Sequence, residues 1–132
     1  QVPHFPSPPA RSMPAGPRER IAGLAALQGT TLIVDETMGE LGFRDLRVDA
    51  PLTLPFAASA ADDSARRIVT IGSVGKTVWG GLRLGWIRAD HELIQRVARV
   101  RYSSDLGTPI LDQLVLLELL RDYDRILADR RA

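Results

Sequence analysis

The 132-residue chain has no cysteine, which excludes disulfides, zinc–cysteine sites and thiol catalysis. It has no apolar run that reaches the ~18 residues of a membrane span. Neither sign of charge is in excess: 17 Lys and Arg stand against 16 Asp and Glu, for a net charge of +1. That balance gives this segment no electrostatic grip on nucleic acid, although it leaves room for a DNA-binding domain elsewhere on a longer parent chain. The opening Gln1–His4 has neither an initiator methionine nor the charged-then-apolar pattern of a signal peptide. It reads as a segment of something larger, or as a trimmed chain. Lysine is nearly absent as well, and any chemistry that needs an amine side chain falls on Lys76.

What is present is ordinary for one modest α/β domain: 45% hydrophobic and 25% charged residues. Pro3, Pro6, Pro8, Pro9, Pro14 and Pro17 make the first stretch loop or extended chain. Helical spacing follows, with Ile21, Leu24, Ala25 and Gln28 tracing one side, Pro17 suited to the first turn and Gly29 to the end. Thr31–Val34 reads as a buried strand ending at Asp35 and Glu36, and 44–67 as mostly loop. Ile68–Ile71 reads as a second buried strand, and the glycines at 72, 75, 80, 81 and 85 oppose a long helix after it. Leu84–Ile87 reads as a third strand. Only about a dozen residues separate it from the second, too few for a helical crossover, so an antiparallel return is expected. Asp90 begins a helix with Leu93, Ile94, Val97 and Val100 on its apolar face. Thr108 as cap and Pro109 at the first position begin another. Its stretch Ile110–Leu120 is apolar almost all round and calls for burial on several sides, which points to partner elements outside these residues.

Two constellations carry chemistry. One is Leu32–Glu36, a strand with carboxylates at its end. The other is Ile68–Gly85, a strand running into a glycine-rich loop with Ser73, Lys76 and Arg83. Gly75-Lys76-Thr77 invites a phosphate-loop, nucleotide-binding reading. That pattern needs glycine where Thr70 stands and a helix after the Lys-Thr pair, where Trp79-Gly80-Gly81 stands instead. Its acidic strand would also follow the loop, not precede it. An imine-forming amine fits better: a lysine nucleophile must be partly deprotonated, which a dry, positively biased site favours. A hydroxyl three residues before it and a guanidinium seven residues after suit a cofactor phosphate. A strand-end aspartate suits a protonated ring nitrogen, and both groups stand where α/β sheets bind ligands. Spacing alone equally allows a solvated Lys76, a capping Asp35 and a surface ion pair at Arg83.

Ser73–Trp86 resembles the lysine segment of class I/II aminotransferases, and in particular the aminotransferase-like domains of MocR-type regulators in the GntR superfamily. Val34–Leu41 resembles the strand end whose aspartate meets the pyridine nitrogen. His4–Ala10, with Met13-Pro14 and Arg18–Arg20, resembles the loop and helix before that strand, and Asp105–Gln113 the next helix start. The resemblance covers nearly the whole chain in the right order. It implies a pyridoxal 5'-phosphate (PLP) cofactor, with Lys76 forming the internal aldimine, Ser73 and Arg83 on the phosphate and Asp35 on the ring nitrogen. Ser7 stands where the family has an asparagine for the phenolic oxygen, Ala10 where it has glycine, and Thr37 and Met38 where a tyrosine is common. Serine is shorter than asparagine and methionine cannot donate, so the resemblance implies cofactor holding more firmly than transamination.

The fold implied is α/β. Residues 1–132 would form part of the large domain of a PLP-dependent transferase of fold type I, with a mostly parallel sheet, one antiparallel strand and flanking helices. The function implied is that of a sensor domain in a MocR-type transcription regulator, or alternatively of a segment of a free-standing aminotransferase acting on amino acids. An amino acid or amine as effector or substrate, a homodimer in the full-length protein, DNA contact only through a domain outside this segment, no membrane and a cytoplasmic location are expected with it. The family's ring-stacking aromatic, its further phosphate contacts and its carboxylate-binding arginine lie outside these residues.

Overall fold

The structure is a computed structural model and describes residues 13–39, 54–105 and 107–131. Helix α1 (Ala15–Leu27) follows Pro14 at its cap and carries Pro17 in the first turn, where a missing N–H costs nothing. It ends in a left-handed glycine: Gly29 has φ +63°, its N–H reaches Ala26 O at 3.1 Å, and the Thr30 N–H reaches Ala25 O at 2.8 Å. This pair of bonds is the Schellman closure, which favours glycine at that position. The helix face differs from the spacing-based expectation. Arg18 and Ala22 are the buried residues, while Leu24 is 59% exposed.

Strand β1 (Leu32–Asp35) pairs in parallel with β2 (Ile68–Ser73), which pairs antiparallel with β3 (Gly85–Arg88), giving a mixed sheet in the order β1-β2-β3. The parallel register runs from Leu32 opposite Ile68 to Asp35 opposite Ile71. The antiparallel register runs from Thr70 opposite Arg88 to Ser73 opposite Gly85. The short link between β2 and β3 therefore makes the antiparallel return expected of it. Only the central strand is well buried. In β1, Val34 is fully buried but Ile33 is 54% exposed, so the fully buried first strand expected from its composition is covered on one face only. The remaining residues of 44–67 that can be described are less loop-like than expected: 54–67 hold a short 3-10 helix (Phe56–Ser59) and a one-turn helix α2 (Asp62–Ala65). Single turns this short leave no periodicity to read.

Two apolar clusters form. Ala22, Val34, Phe56, Ala57 and Ile68 make the first, packed between α1, the 3-10 helix and the parallel pair. Val74, Val78, Leu82 and Leu84 make the second, against Leu116, Leu119, Tyr123 and Ile126. The second cluster joins the loop after β2 to α5 (Ile110–Arg121) and α6 (Tyr123–Arg131). Before them, α4 (His91–Arg101) starts at Asp90, whose side chain accepts from the Glu92 N–H at 3.0 Å. Pro109, not Thr108, caps α5. The Thr108 hydroxyl accepts instead from Arg101 at 2.7 Å, a partner on the preceding helix that local propensity cannot anticipate. Most of the large apolar side chains of α5 stay in solvent: Ile110, Leu111, Leu114, Val115, Leu117 and Leu120 are all exposed. Among the described residues, no helix is long and apolar enough to cross a membrane.

Candidate functional site

The register of the sheet fixes where the candidate residues stand. Asp35 closes β1 opposite Ile71, and Ser73 closes β2 two residues further along. Because β3 runs back antiparallel from Gly85, opposite Ser73, Arg83 precedes it at the same end of the sheet. Lys76 lies on α3 (Val74–Thr77), the single turn that leaves that end. Asp35, Ser73, Lys76 and Arg83 thus gather at the carboxyl edge of the parallel pair, where ligands of open α/β sheets bind. Ser7, the fifth candidate, lies outside the described residues, as does Ala10.

Each side chain is held or left free in a way that bears on binding. Asp35 Oδ1 accepts from the Thr37 N–H at 3.0 Å, forming a local turn that fixes the carboxylate. Its other oxygen has no partner among the described residues. Ser73 Oγ accepts from the Gly75 N–H at 3.2 Å, capping α3, and keeps its own proton to donate. Lys76 and Arg83 are exposed, and neither makes a hydrogen bond or an ion pair among the described residues. Two cations, a hydroxyl donor and a carboxylate with spare acceptor capacity therefore share one end of the sheet. That donor set suits a phosphorylated cofactor with a basic ring nitrogen and an aldehyde, but the described residues leave Lys76 in solvent and do not supply the dry surroundings expected of an imine-forming amine.

The turn that carries Lys76 is well supported from behind. Val74, Thr77 and Val78 are buried on either side of the lysine. The Val74 N–H reaches Leu84 O at 3.2 Å, and the Val78 N–H reaches Val74 O at 2.8 Å. Tyr123 Oη donates to Thr77 Oγ1 at 3.5 Å from α6. The glycines of this region serve close approach. A Cβ on Gly72 would lie 2.1 Å from the Trp86 ring opposite it. The helix α3 ends at Lys76-Thr77, where a nucleotide phosphate loop would begin one, and Thr70 is buried in β2 where that loop needs glycine.

Sequence spacing did not single out Tyr123, or the burial of Arg18 with Glu36 as a nearby charge. For Arg18 there was a signal: it lies four residues before Ala22 on α1, in line with the side that is buried. For Tyr123 there was none, since its contact with Thr77 spans 46 residues.

No family model matches the chain. It is 29% identical over 131 residues to the HTH-type transcriptional regulator NorG of Staphylococcus aureus, a match covering 98% of this chain and 28% of that protein. It is 26% identical over 121 residues to 2-aminoadipate transaminase of Thermus thermophilus, covering 92% of this chain and 29% of that protein. Among solved structures, it superposes on LysN, the alpha-aminoadipate aminotransferase of Thermus thermophilus complexed with N-(5'-phosphopyridoxyl)-L-leucine. There the TM-score is 0.79 at 26% identity, over 98% of this chain and 32% of that one. The fold is also that of the kynurenine aminotransferase of Pyrococcus horikoshii, with a TM-score of 0.83 at 21% identity over 99% of this chain and 32% of that one. The chain spans less than a third of the length of these relatives.

Proposed function

We propose that this chain, a segment with the fold of PLP-dependent aminotransferases and with both MocR-type regulators and aminotransferases among its relatives, is the cofactor-holding part of the large domain of a MocR-type transcription regulator. The observation that carries this reading is the gathering of Asp35, Ser73, Lys76 and Arg83 at one sheet edge, in a chain that aligns with NorG over nearly its whole length. In this reading the Ser73 hydroxyl and the Arg83 guanidinium hold the phosphate, two donors matched to its oxygens. Asp35 keeps the proton on the pyridine nitrogen. The Lys76 amine, Nζ, is the covalent anchor of the cofactor's aldehyde. When bound, PLP supplies an electron sink for chemistry next to an amine. By the resemblance, Ser7 would stand in for the family's asparagine towards the phenolic oxygen, through a bridging water because its side chain is shorter.

The ligand class that follows is an amino acid or amine, acting as effector. The full-length protein would be a homodimer that meets DNA through a domain outside these residues. A free-standing aminotransferase acting on amino acids is the second reading, favoured by the match to 2-aminoadipate transaminase over 92% of the chain. Thr37 and Met38, where the resemblance has a tyrosine, weigh towards a sensor. A nucleotide-binding site around Gly75-Lys76-Thr77 has little support, since the helix it requires does not follow.

The deciding experiment uses the full-length parent with PLP. Specific DNA binding that changes when an amine or amino acid is added, without turnover, supports the regulator. Multiple-turnover transfer of the amino group to a keto acid supports the enzyme.

A further inference from the structure

Arg18 is a charged residue only 2% exposed, in the first turns of a helix that otherwise buries alanine. A buried guanidinium is costly unless it is paired and hydrogen-bonded. Its Nε donates to Met13 O at 2.8 Å, and its Nη1 donates to Leu54 O at 2.7 Å. Its Nη2 is buried without a hydrogen-bond partner among the described residues. Burial pulls its pKa below the ordinary arginine value, and the negative charge of Glu36 pulls the other way.

Glu36 is the residue after Asp35. Its carboxylate Oε1 accepts from the Phe56 N–H at 2.6 Å, and its own N–H donates to Ile71 O at 2.9 Å. One arginine and one glutamate therefore tie together three passages of chain: the entry to α1, the end of β1, and the return into the 3-10 helix. The end of β1 that they tie down is Asp35 itself, the residue before Glu36 and one of the candidate site residues. The functional reading uses neither residue.

We propose that Arg18, backed by Glu36, is a positioning residue for Asp35, holding the end of β1 so that the carboxylate meets the cofactor's ring nitrogen. The inference rests on the cofactor-holding reading, and its test separates the two. In the full-length parent, the PLP dissociation constant is measured by absorbance titration, with thermal unfolding beside it, for Arg18→Met, Asp35→Asn and the double variant.

If Arg18 acts through Asp35, Arg18→Met weakens PLP binding on the order of tenfold in the Asp35 protein but by no more than about twofold in the Asp35→Asn background. The pH dependence of the bound cofactor's absorbance band shifts in the same direction for Arg18→Met and Asp35→Asn. Glu36→Gln keeps an acceptor for the Phe56 N–H while removing the charge, and gives a smaller loss of the same non-additive kind. Equal losses in both backgrounds, or none, overturn the proposal and leave Arg18 a purely structural residue. Where Arg18→Met gives no cooperative unfolding, Arg18→Lys replaces it under the same criterion. A wild-type protein with no PLP band removes the functional reading itself, and this inference with it, an outcome distinct from additivity.

Discussion

The two apolar clusters among the described residues are finished to different degrees. The first is closed: Val34 and Phe56 are 0% exposed and Ile68 is 1% exposed, with α1 on one side and the sheet on the other. The second cluster borders α5, where Leu116 and Leu119 pack inward while Leu114, Val115, Leu117 and Leu120 remain exposed. Neither α4 nor α5 buries a single residue completely. Each large apolar side chain left in water forgoes ~1.5–3 kcal/mol of burial. The contrast separates a small closed core beneath β1 and β2 from helices whose apolar faces stay largely in solvent.

The contrast can be broken most sharply by truncating one side chain in each region. Phe56→Ala is expected to cost about 3–5 kcal/mol wherever it is measured, because its surroundings are already closed. Leu117→Ala is expected to be within about 0.5 kcal/mol of neutral in the isolated 132-residue chain and to cost ~2 kcal/mol or more in the full-length parent. Denaturant unfolding of both proteins checks this, and equal costs for Leu117→Ala in the two would erase the distinction.

The isolated chain should also be weakly stable, self-associating and a poor binder of PLP, because open sheet edges and bare apolar helices invite aggregation. Light scattering, a thermal melt and a PLP titration test it. A sharp transition in a monodisperse monomer with micromolar PLP affinity would mean that the helical part needs no cover.

A smaller effect is expected at Gly72→Ala. The added methyl would meet the Trp86 ring at 2.1 Å, and the half-exposed indole must swing away. The cost is ~1–3 kcal/mol, with a change in tryptophan fluorescence, and Trp86→Ala should relieve it. The smallest effect concerns the α4–α5 junction. The side-chain hydrogen bond from Arg101, then that of the Gly107 backbone, hold the Asp105 carboxyl below the usual carboxylate range. A lowered folded pKa gives stability that is present above the ordinary carboxylate value and lost as pH falls through the lowered one. Asp105→Asn should therefore slightly flatten the acid side of a stability–pH curve in full-length protein, and added salt should weaken the wild-type effect. An unchanged acid slope would dismiss the junction as a contributor.

Local chemistry made much of this legible in advance. The Asp90 cap, the glycine ending α1 and the short link before β3 each act over a few residues, and each stands where expected. That Asp35, Ser73, Lys76 and Arg83 stand towards one end of the sheet follows from strand order and the short β2–β3 link, while their roles rest on the resemblance and not on spacing. What escaped depends on distant partners. Thr108 looks like a cap until Arg101 takes its hydroxyl. Leu24 looks like core until Arg18 takes the inner face of α1 for its carbonyl contacts. Ile33 looks buried because composition does not say whether both faces of a strand are covered.

The central claim is that Lys76 anchors PLP at the carboxyl edge of this sheet. The direct measurement is to load the full-length parent with PLP, reduce it with borohydride and map the modified lysine by mass spectrometry. The expected result is a visible absorbance band in the wild type, a phosphopyridoxyl label on Lys76, and loss of both in Lys76→Ala. A band that persists unchanged in Lys76→Ala, or a label only on lysines outside these 132 residues, would contradict it.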